Sequence, residues 1–77
     1  MKKMNIREKP EQYRIGLRIR QLRIENDLKQ VQLANLIGVD RTSLSSYENG
    51  KRIPDIFMLC KIADIFHVSL DYLAGRE

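Results

Sequence analysis

Apolar residues recur along this chain every three or four positions, the spacing of helices that bury one face, and no stretch alternates apolar and polar as a half-buried strand would. The first predicted helix begins with Pro10 in its first turn, where no backbone N–H is needed, and runs to about Asn26 with Ile15, Ile19 and Leu22 on its buried face. A second covers Gln30 to Ile37, with Leu33, Ala34 and Ile37 facing inward. Gly38 follows at once and suits the left-handed residue of a sharp turn. Val39 then plugs the angle, and Asp40 caps a third helix from Arg41 to about Asn49. Past Pro54, a fourth amphipathic helix carries Leu59, Ile62, Ala63 and Phe66. Ser69 caps a short fifth one containing Leu70 and Leu73. Helix follows helix through short links, which predicts a compact all-α bundle of five.

The stretch from Leu28 to Pro54 is therefore two short helices joined by a glycine turn and then stopped, the layout of a helix-turn-helix. At about 100° per residue, Leu44 and Tyr47 of the second of these point one way. Thr42, Ser45, Ser46 and Asn49 point nearly opposite, with Arg41 at the edge. A solvated face usually carries Lys, Glu and Gln, which favour the helix, whereas Ser and Thr do not. Short hydroxyl side chains let a helix approach another molecule closely, and they can meet base edges or phosphates in a major groove. A loose serine-rich surface helix is the alternative, and this face alone does not choose between the two.

Four motifs bear on that choice: IRQLR (Ile19 to Arg23), QVQLANLIGV (Gln30 to Val39), YENGKRIP (Tyr47 to Pro54) and VSLDYL (Val68 to Leu73). Their order and spacing resemble those of the phage-repressor or Cro-like (XRE-like) helix-turn-helix proteins, over roughly Ile15 to Leu73. The resemblance implies a five-helix bundle of the lambda-repressor-like type, with the helix from Arg41 to Asn49 entering the major groove. It implies base reading by Arg41, Thr42 and Ser46, with Ser45 as a secondary reader. Gln30 matches a residue that binds phosphate at a helix N-terminus. Asn49, Lys51 and Arg52 match a loop that grips the DNA backbone. Arg23 and Glu48 match a partly buried ion pair tying the first helix to the recognition helix; they hold the reader rather than read. Removing one partner of such a pair costs on the order of 3–5 kcal/mol. Two residues depart from the pattern. Lys29 stands where a Ser or Thr cap is usual, and His67 replaces the glycine expected after the fourth helix, at a cost of about 1 kcal/mol.

Composition changes the picture little. The 77 residues suit one modest core, and 43% hydrophobic with 31% charged residues is an ordinary globular balance. No apolar run approaches a transmembrane span, and Asn5, Arg7, Glu8 and Lys9 break any signal-like segment after the initial MKK, so the expected location is the cytoplasm. One cysteine excludes an internal disulfide and a cysteine-cluster metal site. Charge is more informative. Residues 1–52 hold 12 Lys or Arg against 6 Asp or Glu, a net of +6, and residues 53–77 hold 2 against 4, a net of −2. The basic half is the one that carries the helix-turn-helix, which favours a polyanionic partner. Residues 1–10 read as a basic arm, flexible or reaching a minor groove, and residues 11–77 as the DNA-binding domain.

Once the core is assigned, apolar residues remain. Tyr13, Leu17 and Ile24 line up on the far side of the first helix. Phe57 points outward from the fourth, flanked by Met58 and Ile65, and Tyr72 is expected to be exposed on the fifth. These suggest contacts with another chain. For the last two helices the resemblance implies a twofold homodimer on half-sites about 34 Å apart. For the first-helix stripe, folding back of the arm through Met4 and Ile6 and a protein partner are equal alternatives. Catalysis has little to work with: the lone His67 lies far along the chain from Ser43, Ser45 and Ser46, Gly50-Lys51 lacks the rest of a phosphate loop, and Cys60 is expected to be a partly buried thiol. The expected function is a sequence-specific regulator binding double-stranded DNA, a homodimeric repressor on an inverted repeat, with no cofactor or metal. With no room for a sensor domain, its control would come from concentration, dimerisation or a regulatory protein partner. The alternative is an interaction module, such as an antitoxin, that holds its partner on the Tyr13, Leu17, Ile24 stripe.

Overall fold

The computed structural model describes residues 11–76, so Pro10 and the basic arm lie outside the described residues. Among the described residues five helices follow in order: α1 (Glu11–Glu25), α2 (Gln30–Ile37), α3 (Arg41–Glu48), α4 (Ile56–Phe66) and α5 (Leu70–Leu73). Each predicted helix is present, with ends moved by a residue or so, as fraying ends are.

One core joins all five. Ile15, Ile19 and Leu22 of α1 meet Leu33, Ala34 and Ile37 of α2, Leu44 and Tyr47 of α3, Ile62 and Ala63 of α4, and Leu73 of α5. Burying each large aliphatic side chain contributes about 1.5–3 kcal/mol. Leu59 and Phe66, expected on the buried face of α4, pack against this core while keeping part of their surface in solvent, and Val39 does the same in the turn. Of the two leucines of α5, Leu73 is buried in the core and Leu70 is exposed.

The helix ends show how local chemistry places the motif. Asp40 Oδ1 accepts the Ser43 N–H at 2.7 Å, Asp55 Oδ1 the Met58 N–H at 2.8 Å, and Ser69 Oγ the Tyr72 N–H at 3.0 Å. Each is a side-chain cap that satisfies an orphan donor. Lys29 has no such cap to offer. Instead Gln32, three residues on, turns its Oε1 back to accept the Lys29 N–H at 2.8 Å, which is the reciprocal half of a capping box. Gly38 takes φ 77° and turns the chain sharply between α2 and α3. His67 takes the same left-handed role after α4 at φ 56°, as the missing glycine predicts, and Asp27 does so between α1 and α2.

A further constraint escaped the periodicity. Gly16 is buried in the middle of α1, and a Cβ built there would lie 2.4 Å from the Tyr47 carbonyl oxygen and 2.7 Å from that of Glu48. The last turn of α3 therefore rests directly on the backbone of α1. The sequence does hold a signal for this, since an unforced glycine inside a helix costs about 1 kcal/mol against alanine and marks a close approach.

Candidate nucleic-acid interface

Because α3 is seated by Leu44, Tyr47 and Glu48, its other face is left outward. Arg41 and Thr42 are exposed at its start, and Ser45 and Ser46 are half-buried further along. Ser45 Oγ accepts the Asn49 side-chain N–H at 3.3 Å, so Asn49 folds back along the helix. The chain then turns: the backbone N–H groups of Lys51 and Arg52 both donate to the Ser46 carbonyl, at 2.9 and 3.3 Å. This leaves Lys51 and Arg52 exposed beside the end of α3. The Arg52 guanidinium lies 5.6 Å from the centre of the Tyr47 ring, and its Nη1 reaches Ser43 Oγ at 3.4 Å. The Ser43 N–H, then the Ser43 hydroxyl, and to a lesser degree the Arg52 charge, hold the Asp40 carboxyl below the usual carboxylate range, against a small opposing effect of desolvation.

Beneath this face sits a polar cluster around Glu48, whose side chain is 2% exposed. Arg23 meets it side-on, Nε donating to Oε2 at 2.7 Å and Nη2 to Oε1 at 3.2 Å, while Nη1 donates to the Leu28 carbonyl at 2.8 Å. The paired charge-assisted bonds fix the carboxylate in one plane. Gln30 Nε2 also donates to Glu48 Oε1, at 3.1 Å, and Arg41 Nη1 donates to Gln30 Oε1 at 3.4 Å. A carboxylate only accepts and a guanidinium only donates, so both neighbours impose the same orientation on the Gln30 amide. Gln30, expected to face a phosphate, thus stands at the rim, linking the buried pair to Arg41 at the start of α3.

A helix-turn-helix family profile, HTH_3, matches residues 19–73. The chain belongs to this helix-turn-helix family. Among its relatives is the ImmF control region 10 kDa protein of Bacillus phage phi105, 37% identical over 64 residues, which are 83% of this chain and 71% of that protein. Another is the cryptic phage CTXphi transcriptional repressor RstR of Vibrio cholerae, 45% identical over 47 residues, 61% of this chain and 42% of RstR. The chain thus spans well under the full length of the relatives it matches. Among solved structures, the P22 c2 repressor in complex with a synthetic operator superposes with a TM-score of 0.76 at 27% identity, covering 82% of this chain and 96% of that one. The bundle is the lambda-repressor-like fold.

Elsewhere on this helix-turn-helix protein, some expected surface residues lie differently. Tyr72 is half-buried, not exposed: α5 lies against α1, and the Arg18 guanidinium covers its ring at 4.3 Å. Cys60 is exposed, not partly buried, because it falls on the outer line of α4. Leu17 and Ile24 are exposed, whereas Tyr13 is in contact with Gly50 over part of its ring. Phe57 is 81% exposed, with Ile53 and Ile56 exposed beside it in sequence. Met58 and Ile65 are half-buried at the flanks of α4. Ile56 and Leu70 also line an open cleft of about 210 Å³, floored by Ile15 and Leu73. Among the described residues no helix is long and apolar enough to cross a membrane.

Proposed function

We propose that this protein is a sequence-specific DNA-binding transcriptional regulator, a cytoplasmic homodimeric repressor that reads an inverted repeat through the major groove. One observation carries the reading: α3 is anchored on its inner side by Leu44, Tyr47 and Glu48 and turns outward a short-chained, uncharged face bounded by Arg41 and by the Lys51-Arg52 turn. Short side chains let a helix approach base edges closely, and cations at its margins suit phosphates. Arg41, Thr42, Ser46 and, secondarily, Ser45 read bases. Gln30, Asn49, Lys51 and Arg52 hold phosphates. Residues 11–77 form the DNA-binding domain, preceded by the basic arm of residues 1–10. The exposed Ile53, Ile56, Phe57 and Leu70 supply the apolar surface for a twofold partner.

Selection of binders from a random duplex pool at near-physiological salt tests this. The expected product is an enriched inverted repeat with half-sites about one helical turn apart. Retention with no enriched sequence would sink base readout. A second reading, an interaction module holding a protein partner on α1, draws on the exposure of Leu17 and Ile24. A charge at Leu17 should then abolish partner capture with DNA affinity intact; retained capture would remove the idea.

A further inference from the structure

The turn after α3 contains a residue that does not behave like its neighbours. Asn49, Lys51 and Arg52 are exposed, but Gly50 between them is buried, with φ 74°. A Cβ built on Gly50 would meet the Tyr13 ring, 2.7 Å from Cδ1, 3.0 Å from Cε1 and 3.3 Å from Cγ. The ring of Tyr13, one turn into α1, therefore lies flush on the backbone of the turn. From the α3 side the same turn is tied by three backbone bonds, Gly50 N–H to the Tyr47 carbonyl at 3.2 Å and the Lys51 and Arg52 N–H groups to the Ser46 carbonyl. It is thus held between α3 and an aromatic plate on α1.

We propose that Tyr13 is a positioning residue for DNA: its ring clamps Gly50 and so presents Lys51 and Arg52 to the phosphate backbone in a turn already formed before binding. The inference rests on the DNA-binding reading above. A loop ordered in advance avoids the entropy loss of ordering on contact, and phosphate contacts of this kind carry no base information. Tyr13 is 46% exposed, too open for a core residue. The contact with Gly50 gives it a role that needs no partner chain, separating it from Leu17 and Ile24 further along the same stripe.

Duplex binding measured against salt concentration, with a short mixed-sequence duplex and with any selected operator, tests the proposal. Tyr13→Phe keeps the ring and should bind as the wild type does. Tyr13→Ala should weaken both duplexes alike, by about tenfold near 0.1 M salt, and should lower the slope of log K against log salt by about 0.9, the share of one phosphate. Base preference should not change. Amide exchange at Lys51 in the free protein should quicken. Should Tyr13→Ala melt too low to assay, Tyr13→Leu, which keeps apolar bulk without the flat plate, carries the same expectation. Wild-type affinity and slope in these variants would overturn the proposal, as would a loss shared by Tyr13→Phe or a shift at a single base position. Absence of salt-dependent duplex binding by the wild type would overturn the DNA reading and this inference with it.

Discussion

Two single residues have measurable local effects, one a cost and one a gain. His67 ends α4 in the left-handed region, where its Cβ is crowded and glycine is not. His67→Gly should therefore stabilise the fold by about 1 kcal/mol, raising the melting temperature by about 4–8 °C; an unchanged or lower value would show that the imidazole makes a compensating contact. Asp40 is the second. Its carboxyl is held below the usual range in the folded protein, so its contribution is present at neutral pH and is lost as pH falls through that depressed value. Asn is an equally good cap without the charge. Asp40→Asn should leave the neutral melting temperature nearly unchanged and reduce its fall below about pH 4. An identical acid limb in both proteins would contradict the shift. The Asp40 and Ser69 caps were legible in the sequence because each is a short-range preference of residue type, whereas the Asp55 cap and the Gln32 bond to the Lys29 N–H emerged only in the structure. The buried turn at Gly50 was not, because it depends on Tyr13, 37 positions away in the chain.

Between elements, the seat of α3 is set by what α1 lacks. With the Tyr47 and Glu48 carbonyl oxygens lying where a Gly16 Cβ would be, Gly16→Ala cannot be absorbed by a side-chain rotation, and α3 must move. The expected loss is about 3 kcal/mol, the upper end for an overpacked site, visible in urea unfolding as a lower midpoint at unchanged m-value. Full stability in Gly16→Ala would mean that the two helices part more easily than their packing indicates. Helix existence and the buried faces of α1, α2 and α3 followed from periodicity, since a 3.6-residue repeat leaves only one face for the core. The spacing of helix from helix did not, because it is decided by backbone contact rather than by pattern. Tyr72 illustrates the same limit: the helical wheel places it outside α5, and only the docking of α5 on α1 brings Arg18 over it.

For the whole molecule, the surface around α4 makes assembly the quantity to test. Phe57 is so exposed that a charge there should leave the monomer's unfolding free energy within about 0.5 kcal/mol of the original. In the proposed dimer it is central. Phe57→Asp should convert a concentration-dependent dimer to a monomer in sedimentation equilibrium and weaken binding to an inverted repeat, while half-site affinity stays. A dimer that survives the change would place the interface elsewhere. Readers and grippers separate in the same assay: Thr42→Ala or Ser46→Ala should alter preference at one or two base pairs, and Lys51→Ala or Arg52→Ala should weaken every sequence and flatten the salt dependence. If all four act alike, base readout is wrong. The basic half of the chain was legible from charge count alone, whereas the proposed dimer face shows only as exposed apolar residues left over from the core.

The division of α3 into an inner and an outer side has a consequence for how such a protein changes over time. Leu44, Tyr47 and Glu48 bear the folding, and the proposed readers at positions 41, 42, 45 and 46 are not among the core residues. Substitutions on that outer strip are therefore close to neutral for stability, so the strip can drift while the scaffold stands still. If the strip reads bases as proposed, a gene carrying this scaffold can acquire a new genomic address in a few steps without passing through an unfolded intermediate. Grafting the outer residues of one relative onto another should move the address with them.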